Sequence, residues 1–128
     1  DVQQIENGNI LFFANGANVH RHGPEGGSSV VEIDPETNRE VWRYQSKPRR
    51  DFVSWFISGC QRQPNGNTLI CEGMWGRLFE VTPAGDIVWE YVSPYVVEYE
   101  HPVFEGMNAI FRCYRYAAES PQIAGRLS

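Results

Sequence analysis

The chain has 128 residues with a formal net charge of -5 at pH 7, and 41% of its residues are hydrophobic and 13% aromatic. This length fits one domain, and the apolar content excludes a disordered polymer. The acidic balance argues against nucleic acid as a partner, and no apolar run approaches the roughly 20 residues that a membrane-spanning helix needs.

Two segments of the chain share one pattern. Each has an Asn-Gly-Asn turn, an aliphatic strand, an apolar-Glu-apolar-x-Pro turn and a Val-Trp-x-Tyr strand. Such self-similarity at a period of roughly 40–50 residues is typical of propeller blades. The first copy comprises Asn7–Asn9, Val31–Pro35 and Val41–Tyr44, and the second comprises Asn65–Asn67, Phe79–Pro83 and Val88–Tyr91.

In chain order, alternating apolar residues between turn signals predict two sets of four short strands. Asn108–Tyr116 also alternates and predicts one more strand, whereas Ser120–Ser128 has turn composition without a helix signal. The first set covers Val2–Ile5, Asn9–Ala14, Ser29–Ile33 and Glu40–Tyr44, and the second covers Ile57–Arg62, Thr68–Glu72, Arg77–Val81 and Asp86–Val92.

These strands predict an all-β fold of two four-stranded antiparallel sheets plus a closing strand. We expect one blade over residues 1–46, a second over 52–93, and the closing strand and tail over 103–128. Two blades cannot close a propeller, so we expect the remaining blades or self-association to cover their apolar faces. An independent small β-domain, such as a barrel built from both units, is the alternative.

The three cysteines are predicted to be free thiols. Cys60 and Cys71 flank a turn in which Gln-Pro-Asn-Gly-Asn favours a three-residue loop with Gly66 left-handed. That register places Cys60 opposite Ile70, so Cys71 faces the other side of the sheet. The spacings, including that to Cys113, match no zinc pattern.

The first unit carries an insertion between its second and third strands, which spans residues 18–27. Insertions of this kind project from one face of a propeller, where binding sites usually lie. His20, Arg21 and His22 are therefore the catalytic candidates: two imidazoles and a guanidinium could bind an anion such as sulfate. A polar loop without a ligand, or a His-x-His metal site, remains open, and we predict no metal.

Several other residues outside the insertion are candidates for a role in binding or packing. Trp42 and Trp89 share one position and predict packing between the units, whereas Trp75 lies in a tight connection and is a candidate contact for substrate.

Arg112 and Arg115 lie three apart on the last predicted strand, so one of them could face a central channel, with a structural salt bridge as the alternative. His101 is expected at the surface. Glu32 and Glu80 share a repeat position and are expected on the polar face, with an architectural role.

These segments resemble the last blades of arylsulfotransferase-like β-propellers. The resemblance is carried by the run from Pro64 to Tyr91, by Asp1-Val2-Gln3 with Asn7-Gly8-Asn9 and Val41-Trp42-Arg43-Tyr44, and by Val103–Tyr116 as the family's C-terminal closing strand. The turn at Asp34–Trp42 is also similar to the tryptophan-docking repeat of pyrroloquinoline-quinone propellers, with Asn38 in place of the usual Gly.

The resemblance implies a six-bladed propeller, exported to the periplasm or secreted, that moves a sulfuryl group between phenols through a histidine. In the family this histidine stands immediately before the Asp-Val pair that starts a blade. Here that position would precede Asp1, and Ser58 corresponds to it in the second unit. Whether the chain is catalytic therefore stays open.

These observations leave three functions as alternatives. The first is part of the substrate wall of a sulfotransferase that takes a small aromatic or anionic ligand. The second is a non-catalytic binding or scaffold module, which the absence of the expected histidine favours for this chain. The third is a quinone-cofactor propeller, although the residues themselves give no cofactor signature, and we predict no cofactor.

Overall fold

The structure, a computed structural model, describes residues 1–16, 26–96, 98 and 105–126. These residues form eight strands and two short 3-10 helices, at Arg49–Asp51 and Gly73–Trp75. No helix among them is long and apolar enough to cross a membrane. The strands are β1 (Val2–Gln4), β2 (Ile10–Ala14), β3 (Ser29–Asp34), β4 (Arg39–Tyr44), β5 (Gly59–Arg62), β6 (Thr68–Glu72), β7 (Arg77–Val81) and β8 (Ile87–Val92).

The strands form two antiparallel sheets of four. Sheet 1 has the order β1-β2-β3-β4, and sheet 2 has the order β5-β6-β7-β8, so every strand pairs with its neighbour in sequence. The register shifts between Glu32 and Ile33 in sheet 1 and between Glu80 and Val81 in sheet 2. The predicted all-β fold with two four-stranded sheets is therefore confirmed.

The same turn chemistry begins both sheets. The N–H of Gly8 donates to the carbonyl of Ile5, and the N–H of Gly66 donates to that of Gln63, each at 2.9 Å. Gly8 and Gly66 have φ angles of +89° and +87°, a left-handed conformation that glycine adopts without steric cost. These three-residue loops set the register, so Cys60 lies opposite Ile70 as predicted.

The core lies between the two sheets and is centred on Phe52, in the segment that joins them. Its ring centroid lies 5.3 Å from Phe13, 5.5 Å from Tyr44 and 5.5 Å from Phe79. Edge-to-face and tilted geometries of this kind are favourable for aromatic rings. Sheet 1, the joining segment and sheet 2 therefore share one buried cluster, to which Leu11, Val30, Cys60, Ile70 and Val81 also contribute.

Residues 107–116 form no strand, so the predicted strand over Asn108–Tyr116 is wrong. The segment nevertheless lies against sheet 2. The N–H of Ile110 donates to the carbonyl of Gly73 at 2.9 Å, and the side chain of Gln61 makes two hydrogen bonds with the backbone of Arg115. A loop and a side chain thus supply the partners that a neighbouring strand would give. Residues 117–126 form turns, as predicted for the tail from Ser120.

We expect Phe52→Ala to lower the free energy of unfolding by about 3–5 kcal/mol, because it empties the centre of the shared cluster. Chemical denaturation followed by tryptophan fluorescence measures this change. Phe111→Ala is the matched control: Phe111 is 72% exposed, so its truncation should change stability by less than about 0.5 kcal/mol. Equal costs for the two variants would contradict the placement of the core.

Candidate functional site

The two ends of the insertion meet at one end of the sheets. A Cβ atom on Gly16 would lie only 2.4 Å from the carbonyl carbon of Gly27, so the backbones of these flanks touch. The N–H of Gly16 also donates to Oγ of Ser28 at 3.1 Å. The two flanks of the insertion are therefore held against each other. The predicted catalytic candidates His20, Arg21 and His22 lie outside the described residues, as does His101.

A buried polar network fixes these flanks to the segment that joins the sheets. Nδ2 of Asn15 donates to the carbonyl of Ser54 at 2.8 Å and to Oγ of Ser58 at 3.0 Å. Oγ of Ser28 accepts the N–H of Ser54 at 2.8 Å. All three serines are buried. Sequence reasoning missed this network, although small polar residues on both sides of a glycine-rich insertion were a visible signal.

Trp75 lies at the same end of the molecule as the flanks of the insertion. It ends the 3-10 helix Gly73–Trp75, and the N–H of Met74 in that helix donates to Oγ of Ser54 at 3.3 Å. Gly76 then turns the chain with φ of +59°. Trp75 is 50% exposed, so it presents an aromatic surface to solvent at this end of the molecule.

Arg112 also lies near the insertion end. Its Nη2 is 3.6 Å from Oδ1 of Asp1, and the carbonyl of Asp1 accepts the N–H of Phe13 in β2. The guanidinium lies 5.7 Å from the ring centroid of Tyr114. The Arg112 side chain remains 47% exposed, so it pairs with Asp1 and still offers donors to solvent.

Arg115 is held at the opposite, Asn-Gly end of sheet 2. It forms an ion pair with the buried carboxylate of Glu80 and lies 4.9 Å from the ring centroid of Trp89. Nδ2 of Asn67 donates to Glu80 at 2.6 Å. These bonds, first from Asn67 and then from Arg115, lower the pKa of Glu80. The two arginines thus both form salt bridges, Arg112 with Asp1 and Arg115 with Glu80.

Glu32 occupies the corresponding position in sheet 1. It accepts hydrogen bonds from Asn7 at 3.1 Å and Asn9 at 2.7 Å, and Arg62 of sheet 2 reaches it at 2.5 Å. Glu32 and Glu80 are 6% and 5% exposed. Their predicted position on the polar face is therefore wrong, because arginines from other segments and turn asparagines satisfy them within the structure. Their role is architectural, as predicted, since they join separate segments.

Trp42 completes this contact between the sheets. The Arg62 guanidinium lies 4.8 Å from the ring centroid of Trp42, a geometry that attracts a cation to the indole face. Nε1 of Trp42 donates to the carbonyl of Pro83 in sheet 2 at 2.9 Å. The prediction that Trp42 packs between the units is confirmed, whereas Trp89 is 41% exposed on sheet 2. We call Glu32, Arg62 and Trp42 the clamp.

Two open grooves run between the sheets. One, of about 490 Å³, lies beside the clamp and is lined by the Asn-Gly turns and Pro83. The other, of about 620 Å³, is lined by Arg43, Tyr44, Lys47 and Arg77. Arg77 in this second groove is bound to the buried carboxylate of Glu72 at 3.2 Å and to Glu90 at 2.5 Å. Its charge is thus already balanced by protein carboxylates.

Burial makes two of the cysteines poor nucleophiles. It raises the pKa of the Cys60 and Cys71 thiols to about 12, and the reactive form of cysteine is the thiolate. Both are free, as predicted, and Cys113 is free and half-buried. Within residues 1–16, 26–96, 98 and 105–126, no group of three or more His, Cys, Asp or Glu side chains could hold a metal ion.

Comparison of the chain with protein-family models, with curated proteins and with solved structures finds no match. The chemistry of the site must therefore be argued from its own residues. Among the described residues these include the exposed indole of Trp75 and the half-exposed guanidinium of Arg112. Such a set can stack an aromatic ring and neutralise an anion.

We expect Arg62→Ala to lower the free energy of unfolding by about 2–4 kcal/mol, because it leaves the Glu32 carboxylate buried without a cation and uncovers Trp42. Arg115→Ala is the matched control at the corresponding position of sheet 2. Arg115 is 39% exposed against 19% for Arg62, so water reaches Glu80 more easily once the side chain is removed, and its loss should cost less, about 1–2 kcal/mol. Urea denaturation of both variants checks the order, and a larger cost for Arg115→Ala would contradict it.

Proposed function

We propose that the two sheets are neighbouring blades of an arylsulfotransferase-like β-propeller that frames a site for a small aromatic anion. Sheet 1 is the blade of residues 1–46, and sheet 2 is the blade of residues 52–93. The same strand order in both sheets, the same turn chemistry and the clamp between them support this proposal. The resemblance makes the periplasm or the exterior of the cell the proposed location.

Within that framework, we assign the described residues a binding and scaffold role. One observation carries this assignment: the buried carboxylates Glu32, Glu72 and Glu80 are each paired with an arginine. A general acid or base must be able to exchange its proton with substrate, and a carboxylate locked in an ion pair is poorly suited to that task. These groups hold sheets together and shape the site.

The residues of the insertion end indicate the ligand class. Trp75 offers an exposed ring for stacking, and Arg112 offers guanidinium donors that match the oxygens of a sulfate ester. An aryl sulfate carries both features, an aromatic ring and a compact anion. This choice agrees with the ligand that the arylsulfotransferase resemblance implies.

Sulfuryl transfer is the second candidate function, and the contact between the flanks of the insertion favours it. We propose His20, Arg21 and His22 as its groups, since the insertion that carries them is flanked by Gly16 and Gly27, whose backbones meet at this end of the sheets. A histidine nitrogen there would attack the sulfur and form an N–S bond as the phenolate leaves. A second phenol would then take the sulfuryl group.

A binding assay with 4-nitrophenyl sulfate tests the first function. We expect saturable binding that quenches tryptophan fluorescence, without release of nitrophenolate above the buffer rate. Trp75→Phe should remove most of the quenching, and Arg112→Ala should weaken binding roughly tenfold, in line with the loss of one charge-assisted contact. Trp89→Phe is the control at the far end of sheet 2 and should leave binding unchanged.

Two other outcomes of this assay would contradict the proposal. Release of nitrophenolate that depends on added phenol would overturn the non-catalytic assignment. In that case His20→Ala and His22→Ala identify the nucleophile, because only its loss abolishes turnover. Absence of both binding and turnover would overturn the proposed ligand class.

A further inference from the structure

The outer face of sheet 2 carries the same residue types, at the same strand positions, as the face through which sheet 1 contacts sheet 2. Glu80, Trp89 and Tyr91 occupy the positions that Glu32, Trp42 and Tyr44 occupy in sheet 1, since Glu32 pairs with Trp42 and Glu80 with Trp89 across the same strand pair. We call Glu80, Trp89 and Tyr91 the outer face. Its residues repeat an interface that the molecule already contains.

Corresponding aromatic residues of the two faces differ sharply in exposure. Tyr44 is 7% exposed because Phe52 and Phe79 cover its ring at 5.5 and 5.6 Å, whereas Tyr91 is 41% exposed. Trp42 donates its Nε1 to the carbonyl of Pro83. Among the described residues, none accepts a hydrogen bond from Nε1 of Trp89. The described residues therefore do not give the outer face the cover that its counterpart has.

Arg115 already covers part of the outer face. Arg115 meets Glu80 and lies 4.9 Å from the ring centroid of Trp89, as Arg62 meets Glu32 and lies 4.8 Å from that of Trp42. Cys113 stands two residues before Arg115, as Cys60 does before Arg62.

A glutamine side chain also bonds the backbone of this segment, as one bonds the backbone of β5, although at a residue two positions further along. The side chain of Gln61 bonds to both backbone groups of Arg115, at 2.8 and 3.0 Å, and the side chain of Gln3 likewise donates to the carbonyl of Cys60. Residues 112–116 thus lie on sheet 2 as β5 lies on sheet 1.

The three strands that follow β5 in the chain complete the cover of sheet 1. No corresponding strands follow Arg115 among the described residues. Strands β6, β7 and β8 bring Phe79 and Pro83 onto sheet 1, where they cover Tyr44 and accept the indole N–H of Trp42. After Arg115, residues 117–126 form turns. Residues 112–116 occupy the place of the innermost strand of a third sheet, although they form no strand by themselves, and the described residues supply none of its other three strands.

We propose that the outer face binds a three-stranded antiparallel β-sheet that pairs with residues 112–116 and completes a third four-stranded sheet. The inference rests on the blade arrangement proposed above, and it adds the partner's chemistry. The partner presents a large apolar side chain to Tyr91 and a turn carbonyl to Nε1 of Trp89. It needs no cation, because Arg115 already neutralises Glu80.

Sheet 1 of a second copy of this chain does not meet these requirements. It carries its own innermost strand, β1, which would need the place that residues 112–116 already hold. A partner that lacks this strand instead uses the backbone edge of residues 112–116, and main-chain hydrogen bonds of that kind are a common mode of sheet addition.

A fusion tests the proposal with a partner of known chemistry. The full chain is extended by a second copy of residues 63–93, which carries β6, β7, β8 and the turn with Pro83. Residues 116–128 serve as the linker. We expect the indole N–H resonance of Trp89 to shift and exchange more slowly, and Tm to rise. Trp89→Phe in the fusion should abolish the added stability, whereas Trp89→Phe in the unextended chain should change Tm little.

A scrambled copy of residues 63–93 is the matched control and should leave the Trp89 resonance unchanged. An unshifted Trp89 resonance in the fusion with the native copy would overturn the proposal. Protection of Trp89 in the unextended chain that grows with concentration would also overturn it, because a second copy would then be the occupant. Neither readout depends on aryl sulfate, so the partner and the proposed ligand fail independently.

Discussion

The guanidinium of Arg62 crosses from sheet 2 to sheet 1, where it meets Glu32 at 2.5 Å and lies over the indole of Trp42. The other contacts of the interface converge on the same carboxylate and the same indole. The Asn-Gly turns orient Asn7 and Asn9 towards the same carboxylate, and Pro83 accepts the indole N–H. Because a buried carboxylate without a cation is costly, the two sheets are stable together in a way that neither sheet could be alone.

This constraint also determines what the molecule can do chemically. The carboxylates that burial could have tuned for catalysis are used to join strands and sheets, and burial suppresses the thiolates of Cys60 and Cys71. Exposed functional groups remain in Trp75 and Arg112, which are half-exposed, while buried serines hold the flanks of the insertion. A rigid scaffold that presents a few adaptable groups at one end is a common arrangement for binding sites.

Sequence patterns predicted most of the fold because turns and alternation are local signals. Gly66 and the alternation of β6 fixed the pairing of Cys60 with Ile70. The positions of Glu32 and Glu80 could not be predicted this way, since a carboxylate on a strand indicates exposure unless a cation from a distant segment is known to reach it. The strand over Asn108–Tyr116 failed for a related reason: its alternation is genuine, but a strand also needs a neighbour with which to pair.

Native-state hydrogen exchange tests most directly whether the clamp makes the two sheets one cooperative unit. Amides of β2 and β3 in sheet 1 and of β6 and β7 in sheet 2 are followed at low denaturant concentrations. The account predicts that the slowest amides of both sheets open with the same free energy and the same dependence on denaturant. Sheet 1 amides that open at a much lower free energy, while sheet 2 stays protected, would contradict it.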